Sequence, residues 1–263
     1  MDTSTSTSTP GSAQRFSIEP VETHPEKRRR TKELDKSYQG NPSKRNHLGE
    51  TPLITTTQLG AFRYAEKLIA VGVDVTVSDV RGRTPLNYSV ETSLLSTVKK
   101  ILSRREADVN ARDNLGETPL HLCVASDNAC IATVLLTAET IDINIRNNSG
   151  ETPFSLAIKE NKTKMIRVLL PLTNLDVQDH FGRTILHWAA EQNAPYALAA
   201  LLNRTPPSVR DINGDTPLTL ALKANNEKAV LMLQETRHFD VDTVDSDGDT
   251  PLHNACLHAN QYI

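Results

Sequence analysis

The stretch DNLGETPLHLCVA, residues 113–125, combines the features of a tight turn with the beginning of a helix. Gly116 can adopt a positive φ, which closes a turn at little steric cost. Thr118 is a good N-cap because its hydroxyl can accept a hydrogen bond from the free N–H groups of a starting helix, and Pro119 suits the first helical position. Apolar residues follow at helical spacing, so the stretch predicts a turn that leads directly into a helix with one buried face.

The pattern Gly-x-Thr-Pro-Leu of this stretch occurs seven times with small variations. Its glycines are Gly49, Gly82, Gly116, Gly150, Gly182, Gly214 and Gly248, spaced by 33, 34, 34, 32, 32 and 34 residues. In most periods a residue that tolerates the left-handed backbone region follows the Thr by about ten positions. These residues are Gly60, Asn128, Asn161, Asn193 and Asn225. A second apolar segment comes next, so each period predicts a turn, a helix, a turn, a helix and an extended loop.

The period and three segments of the chain resemble the ankyrin repeat, which has a period of about 33 residues and the signature T-P-L-H-x-A. The segments are TPLHLCVA (118–125), TILHWAAEQN (184–193) and TPLHNAC (250–256). Single units depart from the signature at Asn87, Ser155, Ile185 and Thr219. The period survives these departures, and the resemblance covers roughly residues 46–263.

The resemblance implies an all-α solenoid of helix-turn-helix units joined by β-hairpin-like loops. Repeats are predicted to begin near residues 46, 79, 113, 147, 179, 211 and 245. The seventh stops at Ile263, before a second helix, so we expect a fragment, an incomplete gene model or a frayed end. In the first repeat, Thr55, Thr56 and Thr57 replace apolar residues, as expected of a capping unit with a polar outer face.

His121, His187 and His253 occupy one equivalent position in alternate repeats, 66 residues apart. Metal ligation needs ligands about 2 Å from a common ion, and residues two stacked units apart cannot converge in that way. We therefore expect each imidazole to bond to its own turn, as the resemblance implies. Cys123 and Cys256 follow in the apolar runs, where small buried side chains are expected.

The chain contains no Walker loop and no GxGxxG, HExxH or GxSxG motif. The acidic segment 240–249 mimics the start of a calcium loop, but its Gly falls at the fourth position and Cys256 takes the place of the last ligand. We expect no catalytic residue, metal site, cofactor or small-molecule substrate, and the protein is not expected to be an enzyme. Three cysteines without a CxxC pair indicate free thiols in a reducing compartment.

Residues 1–45 have nine Lys and Arg against six Asp and Glu, a net charge of +3, whereas the remainder has 20 against 26, a net charge of −6. The run of Ser and Thr, the prolines and the few apolar residues predict disorder for this leader. Its basic residues Lys27, Arg28, Arg29, Arg30 and Lys32 are a candidate nuclear localisation signal. The alternatives are a solvated basic tail or a casual contact with nucleic acid, and nucleic acid is not otherwise expected as a partner.

Apolar stretches of the chain reach about seven residues, far short of the roughly 20 that a membrane-spanning helix needs, and the N-terminus lacks a secretory signal. We therefore expect an intracellular protein, cytoplasmic, nuclear or both, with no membrane segment in this chain.

Candidate binding residues come from the turns and first helices, the face that usually holds protein partners in ankyrin proteins. Arginine and exposed apolar or aromatic side chains are typical of interface anchors. The candidates are Arg81, Arg112, Leu115, Arg146, His180, Phe181, Trp188, Arg210 and Ile212. Of these, Arg146, Phe181, Trp188 and Arg210 are predicted to line one partner site in the middle of the stack. The alternatives are that Phe181 and Ile212 fold onto neighbouring loops and that Trp188 fills the groove between units.

The sequence thus favours a protein–protein interaction scaffold or adaptor whose partner, another protein, lies on the concave face and hairpin tips. One alternative is the regulatory or substrate-recruiting part of a larger enzyme, such as a palmitoyltransferase, kinase or ubiquitin-ligase component. A weaker alternative is a nuclear transcription regulator, which depends on the basic leader alone.

Overall fold

The computed structural model describes residue 29, residues 40–235, residues 244–245 and residues 247–259. The predicted disorder of residues 1–45 therefore falls largely outside the described residues. The same holds for the candidate nuclear localisation signal, of which Arg29 alone is described, with an exposed side chain.

Between residues 52 and 259, short helices make up the regular structure of the described residues and follow the predicted repeats in pairs. In chain order they are α1 (Pro52–Gln58), α2 (Phe62–Ala70), α3 (Pro85–Glu91), α4 (Leu95–Leu102), α5 (Pro119–Ala125), α6 (Ala129–Leu135), α7 (Pro153–Lys159), α8 (Thr163–Leu169), α9 (Ile185–Glu191), α10 (Pro195–Leu202), α11 (Pro217–Lys223), α12 (Glu227–Gln234) and α13 (Pro251–Ala259). Odd numbers are the first helices of their repeats and even numbers the second. The part of the chain that the structure describes contains no strand, so the all-α prediction is confirmed.

Successive repeats pack side by side, the first helix against the next first helix and the second against the next second. Their apolar residues join in one continuous core, to which α5 contributes Leu120 and Val124 and α6 contributes Ile131 and Leu135. Complete burial of such a side chain stabilises the fold by about 1.5–3 kcal/mol. A helical hairpin this short finds that burial only against its neighbours, which explains why the unit is repeated.

A threonine in extended conformation precedes each first helix, as Thr118 does with φ −88° and ψ 165°. In repeats two to six its backbone N–H donates to the side chain three residues further on, whereas in repeat one that residue is Ile54, which has no acceptor. The acceptors in repeats two to six are Asn87, His121, Ser155, His187 and Thr219. Because all four side-chain types offer an acceptor atom at this reach, the departures from histidine keep the cap.

The buried histidines do more than the predicted bonding to their own turn, which is confirmed. Nδ1 of His121 accepts from the N–H of Thr118 at 3.2 Å, so the proton lies on Nε2, which donates to the carbonyl of Glu151 in the next repeat at 3.0 Å. His187 likewise bridges to the carbonyl of Asp215 at 3.1 Å. Both ring nitrogens are therefore used within the protein, and each imidazole links two repeats.

The turn between the two helices of a repeat places one residue in the left-handed region. Gly60, Asn161, Asn193 and Asn225 have positive φ as predicted, but in repeat three the residue is Asp127 and not Asn128. Asn128 instead caps α6, where its side-chain oxygen accepts the N–H of Ile131 at 3.1 Å. Because Asn128 serves as the N-cap of α6, the preceding residue Asp127 takes the left-handed backbone position.

Two expectations for the ends of the stack are wrong. Thr56 and Thr57 do not form a polar outer face, because both are fully buried and their hydroxyls donate to carbonyls of their own helix, those of Leu53 and Ile54. Cys256 is exposed, whereas the equivalent Val124 is fully buried. The difference arises because α13 is the last helix that the structure describes, so no described element covers its far side.

We predict that the two buried histidines make the fold sensitive to mild acid. Burial lowers the pKa of His121 and of His187, although the backbone carbonyls they contact act in the opposite direction. The unfolded chain takes up protons near pH 6.5 while the folded chain does not. The free energy of unfolding should therefore be highest above this pH. Below it, the free energy of unfolding should fall by at most about 1.4 kcal/mol per pH unit for each histidine.

The matched variant is H121N/H187N, since asparagine already fills this position at Asn87. Urea unfolding followed by circular dichroism between about pH 7.5 and pH 5.5 should give a smaller slope for the variant than for the wild type. Equal slopes would show that the histidines do not cause the acid sensitivity.

Candidate functional site

The turns that precede the first helices are held by a single side chain. In the fifth turn, Oδ1 of Asp179 accepts the N–H groups of Phe181 and Arg183, both at 2.9 Å. The second and third turn residues, here His180 and Phe181, therefore project away from the helices, and we call these two positions the turn tip. Both tip side chains of the fifth turn are exposed, Phe181 by 54%.

Successive turns are joined by a backbone hydrogen bond that we call the turn-to-turn bond. It runs from the N–H of the first tip residue to the carbonyl of the second tip residue of the preceding turn. The bonds are Val80 to Leu48, Asn114 to Arg81, Asn148 to Leu115 and Ile212 to Phe181, at 3.1, 2.8, 3.0 and 2.9 Å. Among the pairs of turns whose bonding tip residues are both described, one lacks this bond: the N–H of His180 makes no such bond with the carbonyl of Ser149.

The space beside the turn glycines shows the same gap. A Cβ added to Gly82 or Gly116 would lie 3.1 or 2.8 Å from the first tip N of the next turn, whereas one added to Gly150 meets nothing within 4 Å. The helix packing shows the same gap. Among the first helices of successive repeats, α7 and α9 have the least contact, and among the second helices α8 and α10 have the least. The fourth and fifth turns are therefore further apart than their neighbours.

A groove with a volume of about 280 Å³ lies at this gap. Phe154, Val177 and Ile185 contribute apolar side chains to its lining. The predicted candidates Arg146, His180, Phe181 and Trp188 line it too. The groove therefore combines aromatic and aliphatic side chains with the guanidinium group of Arg146.

One wall of the groove is a packed cluster around Arg183. Its guanidinium lies 4.3 Å from the ring centroid of Trp188 and 5.1 Å from that of Phe181. The same group pairs with Asp179 at 3.0 Å and with Glu191 at 3.2 Å. Nε1 of Trp188 donates to the second oxygen of Asp179 at 3.2 Å. The half-buried Trp188 thus both lines the groove and is fixed in position.

The electrostatics of this wall are balanced within the cluster. Burial alone would raise the pKa of Asp179, but the N–H groups of Arg183 and Phe181 and the guanidinium of Arg183 outweigh it and hold that pKa below its ordinary value. Glu151, on the opposite wall, pairs with Lys159 at 2.6 Å. Each carboxylate of the lining therefore has a cation of its own.

Sequence reasoning missed Arg183, although a signal for it exists. In repeats two, four, five and six the residue between the Gly and the Thr forms an ion pair with the residue eight positions on, and the order of the charges differs between repeats. The pairs are Arg83–Glu91, Glu151–Lys159, Arg183–Glu191 and Asp215–Lys223. Where this residue is arginine, an aromatic side chain stands five positions on, Tyr88 or Trp188, and bonds the turn aspartate.

Three arginines of the candidate set occupy one equivalent position just before their turns, and they differ in what they contact. Arg112 and Arg210 donate to carbonyls of the following repeat, those of Arg146 at 3.0 Å and Val244 at 2.8 Å. Arg146 instead donates to the carbonyl of Gly150 in its own turn, at 2.8 Å. Its guanidinium therefore stays at the groove, whereas Arg210 lies outside the lining.

The remaining candidates are exposed tip residues of other turns. Leu115 and Ile212 are exposed by 60% and 67%, and Arg81 is also exposed. None of the three belongs to the lining of the groove. The structure thus brings four of the nine candidate residues together and leaves five dispersed along the stack.

Two groups with a capacity for chemistry, the thiol of Cys123 and the carboxylate of Asp245, are committed to the fold, whereas the thiols of Cys130 and Cys256 are exposed. Burial raises the pKa of the Cys123 thiol to about 12. Asp245, in the segment that mimics a calcium loop, accepts from the N–H groups of Asp247 and Asp249 and pairs with Lys223 at 3.0 Å. Within the described ranges, His, Cys, Asp and Glu form no group of three that could hold a metal ion. The helices described are also too short and polar for any of them to cross a bilayer.

Known proteins share this architecture. The family model described as ankyrin repeats matches the chain at residues 30–113, 65–147, 91–179, 120–208 and 186–263. The human transient receptor potential cation channel subfamily A member 1 is 33% identical over 87 residues, which are 33% of this chain and 8% of the channel. The chain thus spans only a small part of the length of this curated relative.

Solved structures of ankyrin repeat domains superpose over most of the chain. The domain of Bcl-3, described as a unique member of the IkappaB protein family, has a TM-score of 0.71 and 25% identity, covering 79% of this chain and 94% of that domain. The domain of human ASB11 has a TM-score of 0.65 and 22% identity, covering 78% and 92%, and shows the shared fold.

We predict that the gap between the fourth and fifth turns can be measured by two glycine substitutions. Gly116→Ala and Gly150→Ala place the same Cβ at nearly the same positive φ, +74° and +78°, so both carry a backbone strain of about 1–2 kcal/mol. Only the Cβ at Gly116 meets the next turn, which adds about 1–3 kcal/mol of overpacking. In urea unfolding Gly116→Ala should therefore be the more destabilising. Equal losses would mean that the fourth and fifth turns are as close as the others.

Proposed function

Because the chain belongs to the ankyrin-repeat family, we propose that it binds a protein partner through the groove between its fourth and fifth turns. Ankyrin repeats are generally protein-interaction modules. The proposal adds where on this stack the partner is held, and it assigns no catalytic role to this chain.

The observation that carries the proposal is the composition of the groove. Phe181 is 54% exposed beside Trp188, and Arg146 stands opposite in the same cavity. Protein interfaces are enriched in aromatic residues and arginine, and energetic hot spots cluster in pockets that these residues form. The cluster around Arg183 holds Trp188 and Phe181 in place, so little side-chain entropy remains to be lost on binding.

The five candidates outside the groove take a lesser part in this proposal. Arg112 and Arg210 use their guanidinium groups to link consecutive repeats, so their loss affects the stack before it affects a partner. Arg81, Leu115 and Ile212 are exposed at turn tips of repeats two, three and six and would extend the contact of a large partner along the stack. The enzyme-linked and transcriptional alternatives, and a cytoplasmic or nuclear location, stay predictions from the sequence.

We predict that a photo-crosslinking residue at position 181 captures a discrete set of proteins from cells that express the full chain. The matched control is position 231, because Leu231 is also about half exposed, at 55%, but lies on the second helix α12 outside the groove. Mass spectrometry should identify proteins crosslinked from position 181 and not from position 231. Identical protein sets at the two positions would refute the groove as the binding site.

We also predict that Phe181→Ala and Arg146→Ala each reduce the affinity for the captured partner by about fivefold or more. Truncation of an interface hot spot costs more than about 1 kcal/mol of binding free energy. Both side chains are exposed, so the thermal stability of the variants should stay near that of the wild type. Leu231→Ala serves as the control in the same titration. Unchanged affinity in both groove variants would place the partner elsewhere on the stack.

A further inference from the structure

The gap between the fourth and fifth turns leaves two backbone groups unused at the groove. The carbonyl of Ser149 and the N–H of His180 are the pair that a turn-to-turn bond would join, and neither has a hydrogen-bond partner among the described residues. Both residues line the groove. An occupant that offers a backbone N–H and a backbone carbonyl can therefore satisfy the same groups that the other turns satisfy for one another.

The charge at the groove selects the side chains of such an occupant. The carboxylates of Glu151 and Asp179 are each paired with a lysine or arginine, as described above. Arg146 has no ion pair among the described residues, and it contacts the neutral carbonyl of Gly150. An acidic side chain is therefore the complement that the rim of the groove lacks.

The apolar part of the lining fixes a third property. The exposed ring of Phe181, the half-buried ring of Trp188 and the aliphatic side chains of Val177 and Ile185 form part of the lining of this groove of about 280 Å³. A single aromatic or large aliphatic side chain fits a cavity of this size, in which offset or edge-on ring contacts are favourable.

We propose that this groove binds an extended peptide segment of the partner protein, in which an aromatic or large aliphatic residue is flanked by Asp or Glu. This inference rests on the proposed function and names the chemical class of its partner. The peptide backbone pairs with the N–H of His180 and the carbonyl of Ser149, its apolar side chain enters the groove, and its carboxylate pairs with Arg146.

The test is selection of peptides from a random twelve-residue library displayed on phage, with the full chain as the target. The expected result is enrichment of sequences with an aromatic residue within two positions of Asp or Glu. Selection against the Arg146→Glu variant, whose folding is checked by circular dichroism, should shift the flanking residue towards Lys or Arg. Enrichment of the same acidic sequences by both targets, or of basic sequences by the wild type, would overturn the proposal.

Fluorescence anisotropy of the best peptide tests the individual contacts. Exchange of its acidic residue for Lys should weaken binding to the wild type by about tenfold and restore binding to Arg146→Glu. Methylation of one backbone nitrogen should weaken binding about tenfold as well, and an N-methyl scan with no effect would refute the backbone pairing. The basic peptide PEKRRRTK, residues 25–32 of this chain, is the matched control, and tighter binding by it would also refute the proposal.

The outcomes separate this inference from the proposed function. If position 181 crosslinks a partner but the library yields no aromatic and acidic sequence, the groove binds a folded surface and the inference fails alone. If every protein crosslinked from position 181 is also crosslinked from position 231, the proposed function fails. Selected peptides that bind equally well to Phe181→Ala would refute the groove as their site.

Discussion

In each described turn, one side-chain oxygen accepts two backbone N–H groups, and the rest of the stack depends on that pair of bonds. It holds the turn in one conformation, as Asp179 does for Phe181 and Arg183. A fixed turn sets where the threonine cap begins the next helix and where the tip meets the following repeat. The short helices of seven to nine residues would be marginal on their own, so their position against a neighbour matters more than their propensity.

Much of this architecture is encoded in a period that can be read from the sequence. Gly116, Thr118 and Pro119 specify their own turn and helix start through local sterics, so seven copies of the pattern predict seven turns. The side chain that bonds the capping threonine is harder to predict from the sequence. Asn87 and Thr219 depart from the histidine of the signature, and the structure shows that they offer the same hydrogen-bond acceptor. The sequence does not decide between Asp127 and Asn128 for the left-handed position, because two residues with similar turn preference stand side by side.

The groove could be predicted only in part, for a physical reason. Sequence identifies Phe181, Trp188 and Arg146 as unusual in composition, but whether they meet depends on the distance between two turns. That distance is a property of how repeats four and five pack against each other, and the period alone does not give it. Arg183 was within reach of sequence analysis, since the reversal of charge between Arg183–Glu191 and Glu151–Lys159 is visible in the printed chain.

The missing turn-to-turn bond also has a mechanical meaning. In a linear array pulled from its ends, every interface between repeats bears the same force, and the weakest interface separates first. Of the joints between repeats one to six, we expect the one beside the groove to open first under tension. A ligand seated there would tie the two halves together and change the stiffness of the whole rod, so occupancy and elasticity are coupled at this joint.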